Sequence, residues 1–228
     1  MNHDHRKAIG EQMEKRTLVY DWLRQIFISE PSINFLTDMV HICRTLSISE
    51  LSQEEKSFFQ FFKDLKIEEC ENLEKEIRVE YARLFLGPKR VLAPPYESVY
   101  LSPSKTLFEK NTIEVREFYE SAELQVKHKN SIPDDHLGYE LEFMYFLSQK
   151  TYSCILEDGK AEDIKTLINR QSEFLAQHLS MWVHLFSQRV LENTTLDFFR
   201  VSVSFLQTFV KNDKEVLNAL QAEWVTRD

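Results

Sequence analysis

The sequence predicts an all-α protein, a single helical bundle-like domain of about nine helices without a credible strand pair. Three observations lead there. Only 4 glycines and 6 prolines occur in 228 residues, far below the usual share of about 12% for the two together. Folds assembled from many tight turns need more of both, whereas long helices need little of either. Apolar residues recur at i, i+3, i+4 and i+7 along most of the chain, the spacing of one helical face. Finally, a 43% hydrophobic fraction with 17 phenylalanines supplies ample material for a packed interior.

Each element follows from its own pattern. Val19, Trp22, Leu23, Ile26 and Phe27 share a face, and Pro31 closes that helix. The preceding residues, His3 and His5 among them, are polar and are expected to be unstructured. Leu36, Met39, Val40 and Cys43 form the next face. Ser52 and Glu55 have the spacing of a capping box ahead of Phe58, Phe59, Phe61, Phe62 and Leu65. Leu73, Ile77, Tyr81, Leu84 and Phe85 continue the series.

Helical spacing stops at residues 87–103, which hold four of the six prolines. Pro94 and Pro95 favour extended backbone, yet Val91, Leu92, Tyr96, Val99, Tyr100 and Leu101 are too apolar for a solvated linker. An ordered loop lying against other structure is expected. Val115, Phe118, Tyr119 and Ala122 resume the helical pattern. A polar stretch at 125–132 then reads as a hinge between an N-terminal half, 1–124, and a C-terminal half, 133–228. Two helical halves on such a hinge suit a monomer that can exchange halves as a domain-swapped dimer.

Pro133-Asp134-Asp135-His136 is expected to open a helix, with proline and carboxylates in its first turn. Leu137 to Leu147 make that helix apolar nearly all round. Asp158-Gly159 marks a turn. The positions from Ile164 to Val190 keep one face and predict the longest helix, about seven turns. Two more helices, around Phe198–Phe209 and Leu217–Trp224, complete the count.

The formal net charge is −9, from 28 basic and 37 acidic side chains. That balance disfavours nucleic acid, whose binding draws on phosphate neutralisation, and fits a cationic or cationic-apolar partner. The three cysteines are widely separated, without metal-ligand spacing, and suit a reducing compartment. The N-terminus has no secretory apolar run, and no stretch is apolar enough to insert into a membrane. A cytoplasmic protein is expected.

Several side chains invite chemistry. Asp134, Asp135 and His136 could form an acid–base pair, or simply cap a helix. Glu140 and Glu142 stand at i and i+2 and point to different sides, so one can face a groove while the other is solvated. His136 and Glu140 stand at i and i+4, which suits a shared metal, but no third ligand is evident. A helical metal-dependent enzyme using Asp135, His136 and Glu140 therefore stays open as an alternative. His178 reads as a core or groove-wall histidine. No nucleophile neighbours these groups, no glycine-rich loop cradles a phosphate, and no catalytic residue, cofactor or metal site is assigned.

Three segments resemble one family. Glu80-Tyr81-Ala82-Arg83-Leu84-Phe85-Leu86-Gly87-Pro88, with Ala93-Pro94-Pro95-Tyr96-Glu97-Ser98-Val99-Tyr100 after it, is similar to a paired signature of the TorD/DmsD/NarJ family of molybdoenzyme maturation chaperones. Pro133-Asp134-Asp135-His136-Leu137-Gly138-Tyr139-Glu140-Leu141-Glu142-Phe143-Met144 resembles its acid–histidine hallmark, and Phe174-Leu175 with His178-Leu179 and Trp182-Val183 resembles a weaker motif of a late helix. The resemblance is closest to the TorD/DmsD branch and covers roughly residues 75–190. It implies an all-helical, non-enzymatic chaperone that binds the twin-arginine signal peptide and the apo-form of a molybdenum-cofactor oxidoreductase, aiding cofactor insertion and delaying export. It also implies signal-peptide binding by Tyr81, Leu84, Phe85, Pro95, Tyr96, Asp135 and His136. Glu97, Asp134 and Glu140 are further candidates for pairing with leader arginines.

Overall fold

The periodic apolar positions become helices almost throughout the computed structural model, which describes residues 3–87, 90–104, 106–108, 110–126 and 132–225. Ten α-helices stand among the described residues. They are α1 (His3–Phe27), α2 (Ile33–Thr45), α3 (Gln53–Asp64), α4 (Cys70–Tyr81), α5 (Glu97–Leu101), α6 (Lys110–Ser121), α7 (Leu137–Leu156), α8 (Ala161–Gln177), α9 (Leu179–Asn193) and α10 (Asp197–Val225). A 3₁₀ turn at Ile67–Glu69 leads into α4, and a π-helical turn at Ala82–Leu86 extends it. Among the described residues no strand forms, and the one β-bridge joins Tyr96 to His136.

Local signals explain the ends of several helices. The capping box of α3 is made as its sequence predicts. The Glu55 amide donates to Ser52 Oγ at 3.3 Å, and the Ser52 amide donates to the Glu55 carboxylate at 2.8 Å. Gly87 ends the π turn at φ +54°, where a Cβ would meet the Arg90 carbonyl oxygen at 2.7 Å, so only glycine fits. Asp158 takes φ +56° in the turn after α7.

The structure corrects five expectations. The N-terminal residues are helical from His3, because Ile9 and Met13 are buried on the same helix as Leu23 and Ile26. The 87–103 loop contains the short helix α5. The helix expected to open with Pro133 in its first turn starts later, at Leu137, with His136 as its N-cap. The long helix expected from 164 to 190 breaks at His178, whose backbone leaves the helical region at φ −121°, ψ −92°. The two last helices are one, α10, the longest here at 29 residues. Its polar midpoint reads as a gap in the sequence, but Asp213 there is buried rather than solvated. Of the expected hinge, residues 127–131 lie outside the described residues.

The residue contacts group the chain into two compact units. One comprises Met1–Arg24, Tyr96–Trp182 and Val210–Asp228, so residues on both sides of 125–132 belong to it. The other comprises Gln25–Pro95 and Val183–Phe209.

The second unit is cored by phenylalanine. Phe58 stacks on Phe205 with ring centroids 4.3 Å apart, and Phe62 meets Phe58, Phe35 and Phe198 edge-on. Phe85 contacts Phe27, Phe186 and Phe199. Mixed edge-to-face and offset contacts suit the aromatic quadrupole and add to simple area burial.

The first unit buries a polar network as well as an apolar core. Arg16, 3% exposed, forms an ion pair with Asp213 and donates to Gln171. Tyr20 donates to Asp213 at 2.6 Å, and Gln171 exchanges hydrogen bonds with Ser148 and Thr151. The network thereby ties α1, α7, α8 and α10 together through satisfied groups.

A buried charge left without its partner is costly. Asp213→Ala is therefore expected to lower unfolding free energy by about 3–5 kcal/mol, read from urea denaturation. The apolar pair Arg16→Met with Asp213→Leu should cost clearly less. Equal losses in both proteins would show that the pair acts through packing and not through charge.

Candidate functional site

Tyr96, Glu97, Asp134, Asp135, His136 and Glu140 come together in the first unit, where the segment 96–98 runs beside the turn 133–136. The Glu97 amide donates to the Asp135 carbonyl at 3.0 Å, the backbone bridge joins Tyr96 to His136, and their rings meet edge-on with centroids 5.1 Å apart. A turn closed by the His136 amide on the Pro133 carbonyl presents this edge.

Each acidic group is buried and engaged. Asp135 is 0% exposed. It accepts from the Ser98 amide at 2.8 Å and from the Thr112 hydroxyl on α6 at 2.7 Å. Asp134 pairs with Arg116 at 2.6 Å, and the Tyr119 hydroxyl donates to its carbonyl. Glu97, also 0% exposed, accepts from Asn111 at 2.7 Å and lies 2.9 Å from His178 Nδ1. Glu140 accepts from Trp182 Nε1 at 3.1 Å, while its Oε1 finds no partner among the described residues. Burial, then the neighbouring Glu97, pushes the Glu140 carboxyl well above the usual range. These carboxylates are fixed from within, so none presents a free oxygen pair for an arginine as the sequence led us to expect. The expectation that Asp135 sits in the first helical turn is corrected as well. It lies ahead of the helix and binds the 96–98 segment.

His136 is the helix cap. Its Nδ1 accepts from the Gly138 amide at 3.1 Å, which requires a lone pair and hence a neutral ring at that nitrogen. Burial lowers its pKa to about 4. With that nitrogen committed, the pairing of His136 and Glu140 around a metal loses its basis. Among the described residues no group of three His, Cys, Asp or Glu side chains is placed to hold an ion. Glu142, the neighbour at i+2 from Glu140, is half exposed and lines an aromatic groove of about 410 Å³ with Tyr119, Leu124, Val126, Tyr139, Phe143, Tyr145 and Phe146.

The other sequence candidates lie in the second unit. Tyr81 is 4% exposed and donates to the Phe27 carbonyl at 3.2 Å. Leu84 and Phe85 are buried in the π turn, and the Ala93 amide donates to the Leu84 carbonyl at 2.8 Å, anchoring the proline loop. Pro95 is buried. Of the seven residues implied by the resemblance, Tyr96 alone retains partial exposure.

The sequence did not single out Ser98, Asn111, Thr112 or Arg116, the groups that satisfy these acids. Polar residues on a helix face ordinarily read as solvated, and no spacing links 98 or 112 to 135. Glu80 was passed over as well. It heads the first signature segment, accepts from Arg83 at 2.7 Å, from Thr194 at 2.9 Å and from the Thr195 amide at 2.8 Å. The Arg83 bond, with the amide and hydroxyl donors, holds its pKa down to about 2 against the cost of burial.

A family model described as nitrate reductase delta subunit matches residues 49–188. This chain is similar to the chaperone protein TorD of Vibrio cholerae, 24% identical over 215 residues, covering 92% of this chain and 95% of that one. TorD of Aliivibrio salmonicida is 26% identical over 213 residues, covering 90% and 95%. The probable Tat proofreading chaperone DmsD of Haemophilus influenzae is 26% identical over 180 residues, covering 78% and 79%.

The depressed His136 pKa carries a stability consequence. The unfolded chain binds the imidazole proton at about 6.5 and the folded chain only near 4. Stability from the neutral ring is present above 6.5 and is lost as pH falls towards 4. The loss is expected to reach roughly 3 kcal/mol. His136→Asn keeps a capping oxygen without the titration, so wild type should fall behind this variant as pH drops from 7 to 4, by urea denaturation. Glu140, raised in the fold, works in the opposite direction, and its contribution to stability is lost as pH rises. It is common to both proteins and cancels. Parallel pH profiles would rule out the neutral cap.

Proposed function

We propose that this chain, which belongs to the nitrate reductase delta subunit family, is a cytoplasmic chaperone that binds the twin-arginine leader and apo-form of a molybdenum-cofactor oxidoreductase. In this reading it aids cofactor insertion, delays export, and catalyses no reaction. Its relatives are named as chaperones, one of them for Tat proofreading. The observation that carries the reading is how the acid–histidine segment spends its polar groups. Asp134, Asp135 and His136 satisfy Arg116, Ser98, Thr112 and Gly138, which builds a scaffold and leaves no acid–base pair poised for chemistry.

The partner's chemistry fits. A twin-arginine leader offers cations and an apolar segment, and the chain carries a net charge of −9. No helix among the described residues is long and apolar enough to cross a membrane. For the peptide site we retain Tyr81, Leu84, Phe85, Pro95, Tyr96, Asp135 and His136. Tyr96 is the member that meets the peptide directly, and Asp135 and His136, buried in the same unit, shape the surface around it.

The test is co-purification of the chain with a molybdoenzyme precursor, with and without its leader, followed by calorimetry with the leader peptide. We expect the leader to be required for capture, and Tyr96→Ala to weaken peptide binding about tenfold while the melting temperature holds, as removal of an aromatic anchor does. Capture that ignores the leader would contradict the reading. An unchanged affinity in Tyr96→Ala would contradict the role given to that ring.

A further inference from the structure

We propose that a notch between α6 and the break separating α8 from α9 is an arginine-binding site, taking a guanidinium from a bound peptide. The inference rests on the reading that this chain binds a cationic leader, and it adds where and how one arginine is held. The notch, of about 440 Å³, is lined by Glu114, Glu117, Phe118, Ser121, Gln177 and His178. All belong to the first unit.

Acidic residues on a helix are usually no more than a solvated face. Two observations set this place apart. The first is an aromatic wall. Phe118 is only partly buried and packs against Phe174 and His178, with centroids 5.3 and 5.2 Å away. A guanidinium stacks on such a ring while its N–H groups reach carboxylates beside it. A lysine ammonium, a compact and strongly hydrated point charge, uses that combination less well.

The second is His178. It is 3% exposed, lines the notch, and is tethered through Nδ1 to the buried Glu97 carboxylate at 2.9 Å. Its other ring nitrogen has no hydrogen-bond partner among the described residues. We assign the tautomer in which Nδ1 donates to Glu97, which leaves Nε2 as an acceptor. In that tautomer the break in the helix at His178 sets an acceptor in the wall of an acidic notch, where a donor-only cation complements it.

The carboxylates are available. Glu117 is exposed and has no ion-pair partner among the described residues. Glu114 pairs with Lys110 at 2.7 Å, but that lysine side chain is 83% exposed, and such surface pairs exchange readily. Arg116, the other cation of this helix, is committed to Asp134.

The experiment is a calorimetric cycle with a synthetic leader peptide carrying an Arg-Arg pair ahead of an apolar stretch, and the same peptide with citrulline for arginine. Citrulline keeps the shape and removes the charge. Wild type should lose about tenfold in affinity on the citrulline change, the scale of a charge-assisted hydrogen bond. Glu117→Gln and Phe118→Leu should bind the arginine peptide correspondingly less well and lose little further on the citrulline change. In NMR, the His178 ring signals should shift with the arginine peptide and not with citrulline. If citrulline costs the same in wild type and both variants, the arginine sits elsewhere and the notch is excluded, while leader binding stands. If wild type binds neither peptide, the functional reading falls and the notch with it.

Discussion

Burying the Asp135 carboxylate is the constraint from which the first unit's arrangement follows. A carboxylate withdrawn from water must be satisfied by hydrogen bonds or it destabilises the fold. Asp135 meets that demand with the Ser98 amide and the Thr112 hydroxyl, which come from the proline-rich loop and from α6. The backbone bond from Glu97 to Asp135 then fixes Glu97. Glu97 in turn holds His178 at the point where α8 gives way to α9. One short acidic turn therefore sets the position of a loop, the register of a helix and the place of a helix break.

The second unit uses the same device with different parts. Glu80 gathers Arg83, Thr194 and the Thr195 amide, joining α4 and its π turn to the segment between α9 and α10. Its low pKa and the raised pKa of Glu140 are two outcomes of one choice. Donors lower the first, and burial, then a neighbouring acid, raises the second. The first two of the three segments that carry the family resemblance thus each contain a buried acid with partners far off in sequence. Their residue pattern reflects architecture at least as much as contact with a partner.

The fold class was legible because helical periodicity and scarce glycine are local signals. The capping box at Ser52–Glu55, the turn at Asp158 and the apolar character of α7 were legible for the same reason. What was not legible depends on distant partners. Asp213 looks like the end of a helix until Arg16 supplies its counter-charge. Periodicity runs straight through His178 because the apolar positions on either side keep their face, and only the tie to Glu97 marks the break. Asp135 looks like a first-turn carboxylate because its true donors, at 98 and 112, leave no trace in the spacing around it. The candidate residues were found by resemblance, but their burial could not be read from it.

The functional consequence is a division of labour. In the function proposed above, buried acids and the capping histidine hold the surface in shape, and partly exposed rings such as Tyr96 and Phe118 are the groups assigned to meet the peptide. A chaperone needs such a surface preorganised without reactive groups on it. The most direct measurement of this account is amide hydrogen exchange at Ser98, in wild type and in Asp135→Asn. The account predicts slow exchange at Ser98 in wild type and markedly faster exchange in the variant, with Glu97 following. Rapid exchange at Ser98 in wild type would contradict it, because the Asp135 knot would then not be holding the loop.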